Sequence, residues 1–567
     1  MAERITRMQK FGEVELECIF RETNRPSVTA KERFSFCPPF NPRTYIAEDG
    51  IICDQDVAVK MRDGITIYAD IYRPADKTDL PVIISWSPFG KRPGDVETEW
   101  QIMGVPPGAV SRMAKFESAD PGYWCRQGYA CANVDPRGVG HSEGDVNMFG
   151  TQDGRDGCDF IEWVAVQHWC NGKVGMFGNS GVAMTQWRIA AEQPPHLTCI
   201  APWEGTGDLY RESLCDGGVP GYFCEGILAS VAGLAYIDDC IAMAQKYPLM
   251  NEYWEDKIPQ WEKIRIPVYT TICWSHIHLR GSMEGFRKIR STKKWLRAHR
   301  EFEWADTYSP AGLKDLQLFF DRYLKDIRNG WELTPRIRLE VMDAYEYDYQ
   351  TDRPEKEFPL ARTEYKKLYL DAASGSLSFE QPSKETSVSY EAVEGQAMFD
   401  ITFKEDIELT GFMKLKLWVE ADGHDEMDLF VNLRKLDGEG NWLPVHVMGE
   451  PYPGLKGMLR VSHRELDEKL SADFKPVHTH RRQHKLKPGE IVPVEIDLWP
   501  HSRFWHKGQQ LRVIVSGHHI SEGWFLPDKY ETDNRGNHVI HTGGKYDSFL
   551  QVPEIPPRYR AGDYIYR

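Results

Sequence analysis

The chain has 567 residues and a formal net charge of −16 at pH 7, too long for one hydrophobic core and too acidic for nucleic acid or an anionic membrane as its main partner. No apolar run approaches the ~20 residues of a membrane helix, and the stretch Met1 to Met8 lacks the apolar segment of a signal peptide. The twelve cysteines lie between Cys18 and Cys273 with no metal-ligand spacing, which predicts buried free thiols and a cytoplasmic location.

Residues 1–50 show no clear periodicity and read as an N-terminal arm lying on the fold. From Asp56 to Pro74, Val57, Val59 and Met61 alternate, Arg62-Asp63-Gly64 supplies a turn, and Ile65, Ile67, Ala69 and Ile71 alternate again, which predicts a β-hairpin. Two largely apolar strands follow, Pro81 to Trp86 and Gly128 to Val134. Phe160, Ile161, Trp163, Val164 and Gln167 have helical spacing. Then comes Lys173-Val-Gly-Met-Phe-Gly-Asn-Ser-Gly-Val-Ala-Met-Thr-Gln-Trp187. Its apolar run reads as a buried strand, Gly178 permits a sharp turn, Ser180 sits at the apex, and Ala183 to Trp187 opens a helix. This is the pattern of an α/β-hydrolase nucleophile elbow, although Val182 occupies the second glycine position of G-x-S-x-G.

Leu197 to Ala201 and Pro267 to Cys273 are further apolar runs. Continuous apolar strands alternating with helices predict a parallel sheet covered on both faces, with its chemistry at the strands' carboxyl ends. Ser87–Lys91, Asp135–Gly144, Ser180, Trp203 and Trp274–His278 all fall there. Between Trp203 and Ile266 the strand rhythm stops, and helical spacing of aromatic and Met residues predicts a cap over the elbow. A helix is predicted over Leu313 to Ile327. Beyond about 350, Met413/Leu415/Leu417/Val419, Met427/Leu429/Val431/Leu433, Val494/Ile496/Leu498 and Leu511/Val513/Val515 are period-two strands, which predicts an all-β sandwich.

Three stretches together, Asp135-Pro-Arg-Gly-Val-Gly-His-Ser-Glu-Gly, Gly178-Asn-Ser-Gly-Val-Ala-Met-Thr-Gln-Trp and Phe319-Phe-Asp-Arg-Tyr-Leu-Lys, resemble the X-Pro dipeptidyl-peptidase and cocaine-esterase family of serine hydrolases. The ending Lys545-Tyr-Asp-Ser-Phe-Leu to Pro553-Glu-Ile-Pro-Pro is similar to that family's jelly roll. The resemblance spans residues 50–560 in order. It implies an α/β-hydrolase domain over 51–203 and 265–350, a helical cap over 204–264 and a C-terminal jelly roll over 351–567.

The resemblance makes Ser180 the nucleophile, with Gly181 for the family's elbow Tyr and Ala183 for its last Gly. The Gly181 N–H remains able to serve an oxyanion hole. The family's second donor is a Tyr hydroxyl in P-Y-x-K, and here that turn reads Pro88-Phe89-Gly90-Lys91. The position of the family's triad Asp is filled by His276, and His299 stands where its catalytic His is expected. A serine needs a base within hydrogen-bond reach. His299 is the first candidate and His276 and His278 the others, with Glu284, Glu301, Glu303 and Asp306 as carboxylates to orient them. Trp86, Trp203 and Trp274 are candidates to line the substrate pocket, while Trp187 reads as core and Arg137 and His141 as a structural loop.

The resulting expectation is a serine-dependent hydrolase of an ester, thioester or amide of a small, largely apolar acyl compound. It needs no metal or organic cofactor, and a homodimer is the generic expectation for its assembly. A strict X-Pro peptidase is disfavoured, because no stretch matches a site for a peptide amino terminus. Two rivals share the fold. The Phe89 and His276 departures would suit an acid/base enzyme that cyclises, isomerises or eliminates, and a degenerate hydrolase would serve as a binding protein.

Overall fold

The computed structural model describes residues 3–24, 37–92, 100–101, 103–521 and 529–557. The chain divides into two compact units, Met1–Leu214 with Tyr222–Arg336, and Cys215–Gly221 with Ile337–Arg567.

The first unit opens with a hairpin, β1 (Arg4–Phe11) and β2 (Val14–Glu22), which takes Tyr236–Asp238 as a third antiparallel strand. The expected N-terminal arm is therefore a small sheet. Its strands alternate weakly because most of their side chains are exposed or half-buried.

The main sheet is built from β3 (Arg43–Glu48), β4 (Ile51–Lys60), β5 (Thr66–Pro74), β6 (Leu80–Trp86), β7 (Ala130–Asp135), β8 (Cys170–Asn179), β9 (Leu197–Trp203), β10 (Val268–Cys273) and β11 (Lys294–His299). Across the sheet the order is β3-β4-β5-β7-β6-β8-β9-β10-β11, parallel from β7 onward. The predicted hairpin is β4–β5, joined through Gly64 in the left-handed region (φ 95°).

Strands buried on both faces read as near-continuous apolar runs, and successive residues here feed two cores. Ile84, Ala132 and Met176 pack with Phe160 and Val164 of α1 (Thr151–Ala165) and with Trp187 and Ile189 of α2 (Ser180–Ala191). Ile83, Cys131 and Phe177 pack on the other face with Leu316, Phe319 and Phe320 of a helix at Pro310–Leu324. That helix lies three residues N-terminal of its predicted span. Ser309 caps it by accepting the Gly312 N–H (2.9 Å), and Pro310 sets its first turn. All twelve cysteines are free thiols, ten of them buried.

The cap differs from a helical subdomain. It holds a π-helical turn (Tyr210–Leu214), short helices at Phe223–Ser230, Cys240–Lys246 and Glu252–Asp256, and the strand Tyr236–Asp238. Its residues Cys215–Gly221 belong to the second unit, where Cys215–Asp216 pairs with Val219–Pro220.

The second unit is all β. Its longest strands, Ile407–Asp422 and Val492–Trp505, pair antiparallel with a bulge after Gly411. The four predicted alternating sets all appear in its core, including Leu415, Leu417, Leu429, Val431, Ile496 and Val513. The boundary falls at Ile337, not at 351. Ile337, Leu339 and Val341 are fully buried and alternate along a strand (Ile337–Ala344) that pairs with Tyr347–Glu355. Among the described residues no helix is long and apolar enough to cross a membrane.

Candidate active site

Ser180 stands at the corner between β8 and α2 in the left-handed conformation (φ 48°), a strain of order 1–3 kcal/mol that a non-glycine residue carries only where its surroundings enforce it. The enforcement is visible. The Ser180 N–H donates to the carbonyl of Glu204 (2.9 Å), and the Asn179 N–H donates to that of Glu117 (3.1 Å). Gly178 is required, because a Cβ there would lie 2.2 Å from Val182 Cγ1 and 2.8 Å from the Glu117 carbonyl oxygen. The missing second glycine is explained by the same contact: Val182 is fully buried against the space Gly178 leaves. Along 174–191 every residue is buried except Ser180, which is half-buried.

Ser180 Oγ lies 2.9 Å from His278 Nε2. His278 immediately precedes α3 (Leu279–Lys288), beyond the end of β10. Its other nitrogen, Nδ1, is 2.6 Å from Thr206 Oγ1. For Nε2 to accept the serine proton, Nδ1 must carry the hydrogen, and the threonine oxygen accepts it. Thr206 is held by close packing: a Cβ on Gly281 of α3 would meet Gly207 N at 2.3 Å and Thr206 Cα at 2.6 Å. Burial, with His276 acting in the same direction, pushes the His278 pKa well below its ordinary value of 6.5, so the ring is neutral at pH 7.

His299 does not face the serine. Its Nδ1 meets the carbonyl of Glu301 (2.8 Å) and its Nε2 forms an ion pair with Glu204 Oε1 (2.6 Å). Burial opposes its charge, but Asp306 and Glu204 outweigh burial and raise its pKa. Asp306 itself grips Arg297 through both oxygens (2.8 and 2.6 Å).

His276 lies between two buried carboxylates, with Nδ1 3.3 Å from Glu204 Oε2 and Nε2 3.3 Å from Glu303 Oε1. The backbone N–H of His278 also points at His276 Nδ1 (3.3 Å). Burial lowers the His276 pKa to about 4, only partly offset by Glu204. Burial, reinforced by Glu204, pushes Glu303 well above the usual carboxylate range.

Several expectations are corrected. His299, the expected base, has both ring nitrogens engaged away from Ser180, and His276 faces the carboxylates. Glu284 is tied within its own helix to Arg287 (2.6 Å) and Lys288 (3.1 Å). Glu301 contributes its carbonyl, its side chain being exposed. Trp86 and Trp203 point into the two cores beside the sheet, where they meet Phe160 and Phe177, so neither lines a pocket. Trp274 is fully buried. Trp187 is core, and Arg137 is bound by Asp156 and Asp63 as a structural loop residue.

Phe89 packs beside Gly181. A Cβ on Gly181 would come 3.2 Å from Phe89 Cε2 and 3.2 Å from Pro88 Cγ. The turn is pinned by buried charges: Lys91 Nζ contacts Asp135 (2.7 Å) and Asp56 (3.1 Å), and Arg92 contacts Asp70 (2.7 Å). Beyond Phe89 lies an apolar group of Trp100, Met103, Phe116 and Tyr308, with Trp304 and Ile227 at its edge. A cavity of about 870 Å³ elsewhere, between the β1–β2 turn, the start of α1 and residues 252–260, contains none of these groups.

Glu204 and Thr206 were missed by the sequence reading. Their signal is the glycine-flanked run Trp203-Glu-Gly-Thr-Gly at the end of β9, one of the five strand ends.

An accessible serine on a strained strand-to-helix corner, hydrogen-bonded to histidine, on a sheet of this order, defines a serine hydrolase of the α/β class. The sequence matches the X-Pro dipeptidyl-peptidase (S15 family) over residues 63–222 and the X-Pro dipeptidyl-peptidase C-terminal non-catalytic domain over residues 329–551. It is 37% identical to a CocE/NonD family hydrolase from Staphylococcus aureus, covering 89% of this chain and 94% of that one with a TM-score of 0.84. The chain belongs to the X-Pro dipeptidyl-peptidase/cocaine-esterase family. It is also 24% identical over 600 residues to the cocaine esterase of Rhodococcus sp. (strain MB1 Bresler), covering 88% of this chain and 98% of that relative. An aminopeptidase from a marine sediment Thaumarchaeota archaeon shares the fold (TM-score 0.66, 14% identity, 91% of this chain and 99% of that one). These relationships support a hydrolase and do not favour the acid/base or binding-protein readings.

Proposed function

We propose that the protein hydrolyses an ester, thioester or amide of a small, largely apolar acyl group. The observation that carries the reading is the 2.9 Å contact between Ser180 Oγ and His278 Nε2, within the 2.6–3.2 Å reach a general base needs. Ser180 attacks the carbonyl carbon as its proton passes to His278 Nε2. The imidazolium is oriented by its Nδ1–H bond to Thr206. The Gly181 N–H lies in the first turn of α2, where N–H groups have no intrahelical acceptor, and it binds the developing oxyanion. On collapse of the tetrahedral intermediate, His278 gives its proton to the leaving oxygen, and a water deprotonated by the same ring releases the acid. The aromatic group around Phe89, Phe116 and Trp304 supports an apolar acyl moiety.

A fluorophosphonate probe tests the nucleophile, and p-nitrophenyl esters from acetate to benzoate test the substrate. Labelling confined to Ser180 and abolished in Ser180→Ala is the expected result. Hydrolysis of these esters by Ser180→Ala at the wild-type rate would overturn the reading.

A further inference from the structure

We propose that His276, His278 and Glu303 form a site for a divalent transition metal such as Zn²⁺, and that its occupation switches the hydrolase off. The switching rests on the assignment of His278 as the base.

One ligand-capable atom from each of the three residues lies within 4.8 Å of the others, and all three side chains are buried. The 3.3 Å between His276 Nε2 and Glu303 Oε1 is close to the separation, about 3.4 Å, of two ligand atoms bound tetrahedrally to zinc. Two imidazoles and one carboxylate are a donor set zinc accepts, with the fourth position left to water or another oxygen. Ser180 Oγ, 2.9 Å from His278 Nε2, can fill it.

The surroundings also suit a metal. A metal-bound histidine generally gives its other ring N–H to a carboxylate or another oxygen, which fixes the tautomer and the ring. His276 Nδ1 faces Glu204 at 3.3 Å, and His278 Nδ1 faces Thr206 at 2.6 Å. With both Nδ1 atoms protonated, both lone pairs sit on Nε2, toward Glu303 and Ser180. The metal selects this tautomer of His276 over the one that accepts the His278 backbone N–H. Among the described residues Glu303 Oε2 has no hydrogen-bond partner, although the side chain is buried. The lone pair a metal takes from His278 is the one Ser180 uses, so binding and proton transfer exclude each other.

Cobalt(II) reads the site directly, because tetrahedral and octahedral Co²⁺ differ strongly in visible absorption. The expected result is one tetrahedral Co²⁺ per chain, displaced by Zn²⁺, in both the wild type and Ser180→Ala. Zinc should slow fluorophosphonate labelling of wild-type Ser180 at least tenfold, reversibly with a chelator. His276→Gln and Glu303→Gln should lose the cobalt spectrum and the zinc effect, and Glu284→Gln should keep both. Zinc-edge X-ray absorption on the wild type, expected to show two imidazole nitrogens, decides the matter if those variants do not fold. Absence of a tetrahedral cobalt spectrum, its persistence in both ligand variants, or zinc binding without slowed labelling overturns the proposal. Loss of labelling in metal-free wild type would instead count against the hydrolase reading, leaving the cobalt result to judge the metal.

Discussion

Replacing His278 by Gln removes the general base from Ser180 while leaving a side chain of similar length at the head of α3. A positioned base contributes about 10²–10⁴-fold, or about 2.7–5.4 kcal/mol at 1.36 kcal/mol per decade. Residues that act as a unit with the nucleophile cost up to about 10⁶. The third member here is the neutral hydroxyl of Thr206, so His278→Gln should lower kcat/KM by 10³-fold or more. His299→Gln is the discriminating partner. It leaves the Ser180–His278 contact intact but strips Glu204, buried with 0% exposure, of the cation 2.6 Å away. Breaking a buried ion pair on one side costs about 3–5 kcal/mol of stability. His299→Gln should therefore melt earlier yet keep kcat/KM within about tenfold of wild type. Ester hydrolysis and the rate of fluorophosphonate modification, both measured well below the melting transition, separate the effects. A folded His299→Gln that no longer labels, beside a His278→Gln that labels at the wild-type rate, would refute the assignment.

Thr206→Val removes the acceptor of the His278 Nδ1–H at nearly constant volume. A neutral hydrogen bond is worth about 1 kcal/mol, so kcat should fall about fivefold with KM little changed, and an unaltered kcat would show that Thr206 does not hold the ring. Phe89→Tyr adds a hydroxyl beside Gly181, at the position where the resemblance expects the second oxyanion donor. One such donor is worth about 2.7–4 kcal/mol, so kcat should rise at least tenfold, and a rate that stays level or falls would show that Phe89 does not stand at the donor position. Burial lowers His463 and His538 to about 4 and His501 to about 3 in the second unit. Their unfolded forms take up protons below about 6.5 while the folded forms do not, so stability falls as pH drops from 6.5 toward those values. Each costs on the order of 2 kcal/mol at pH 5. Hydrogen exchange in strands of that unit, corrected for intrinsic rates, should accelerate between pH 7.5 and pH 5, and unchanged protection would contradict the shifts.

Much of this fold was legible because burial forces simple patterns. Strands such as Leu80–Trp86 are apolar at all positions but Ser85 since both faces are covered, and residues 415–422 alternate since one face is. What failed to show has equally physical causes. The strand Ile337–Ala344 offers only three alternating apolar residues, Ile337, Leu339 and Val341, before Met342 breaks the period where the register shifts. The hairpin β1–β2 buries too little to leave an apolar signature. In the site, Ser180 is marked by the glycine the corner demands. The base is not, because which of three histidines reaches a serine depends on where the loop after β10 turns into α3, and no local pattern encodes that.

The position of Glu204 fits the proposed assignment of His278 as the base. Its backbone takes the left-handed conformation (φ 58°) and its carbonyl accepts the Ser180 N–H, so it cannot move without disturbing the nucleophile. Its side chain is buried and meets His299 at 2.6 Å. Burial disfavours a charge on His299, but Asp306 and Glu204 outweigh it and favour the charged form of the ring that stands against this carboxyl. Swinging His299 to the serine would strand Glu204 in the interior at a cost of the same 3–5 kcal/mol. The histidine at the end of β11 is thus committed to structure. His276 stands where the resemblance expects the family's acid, and it faces Glu204 and Glu303. Beyond it, His278 reaches Ser180 from the head of α3 and takes Thr206, at the end of β9, as its partner. Glu204 thus ties down one histidine, and Thr206, two residues later, contacts the other.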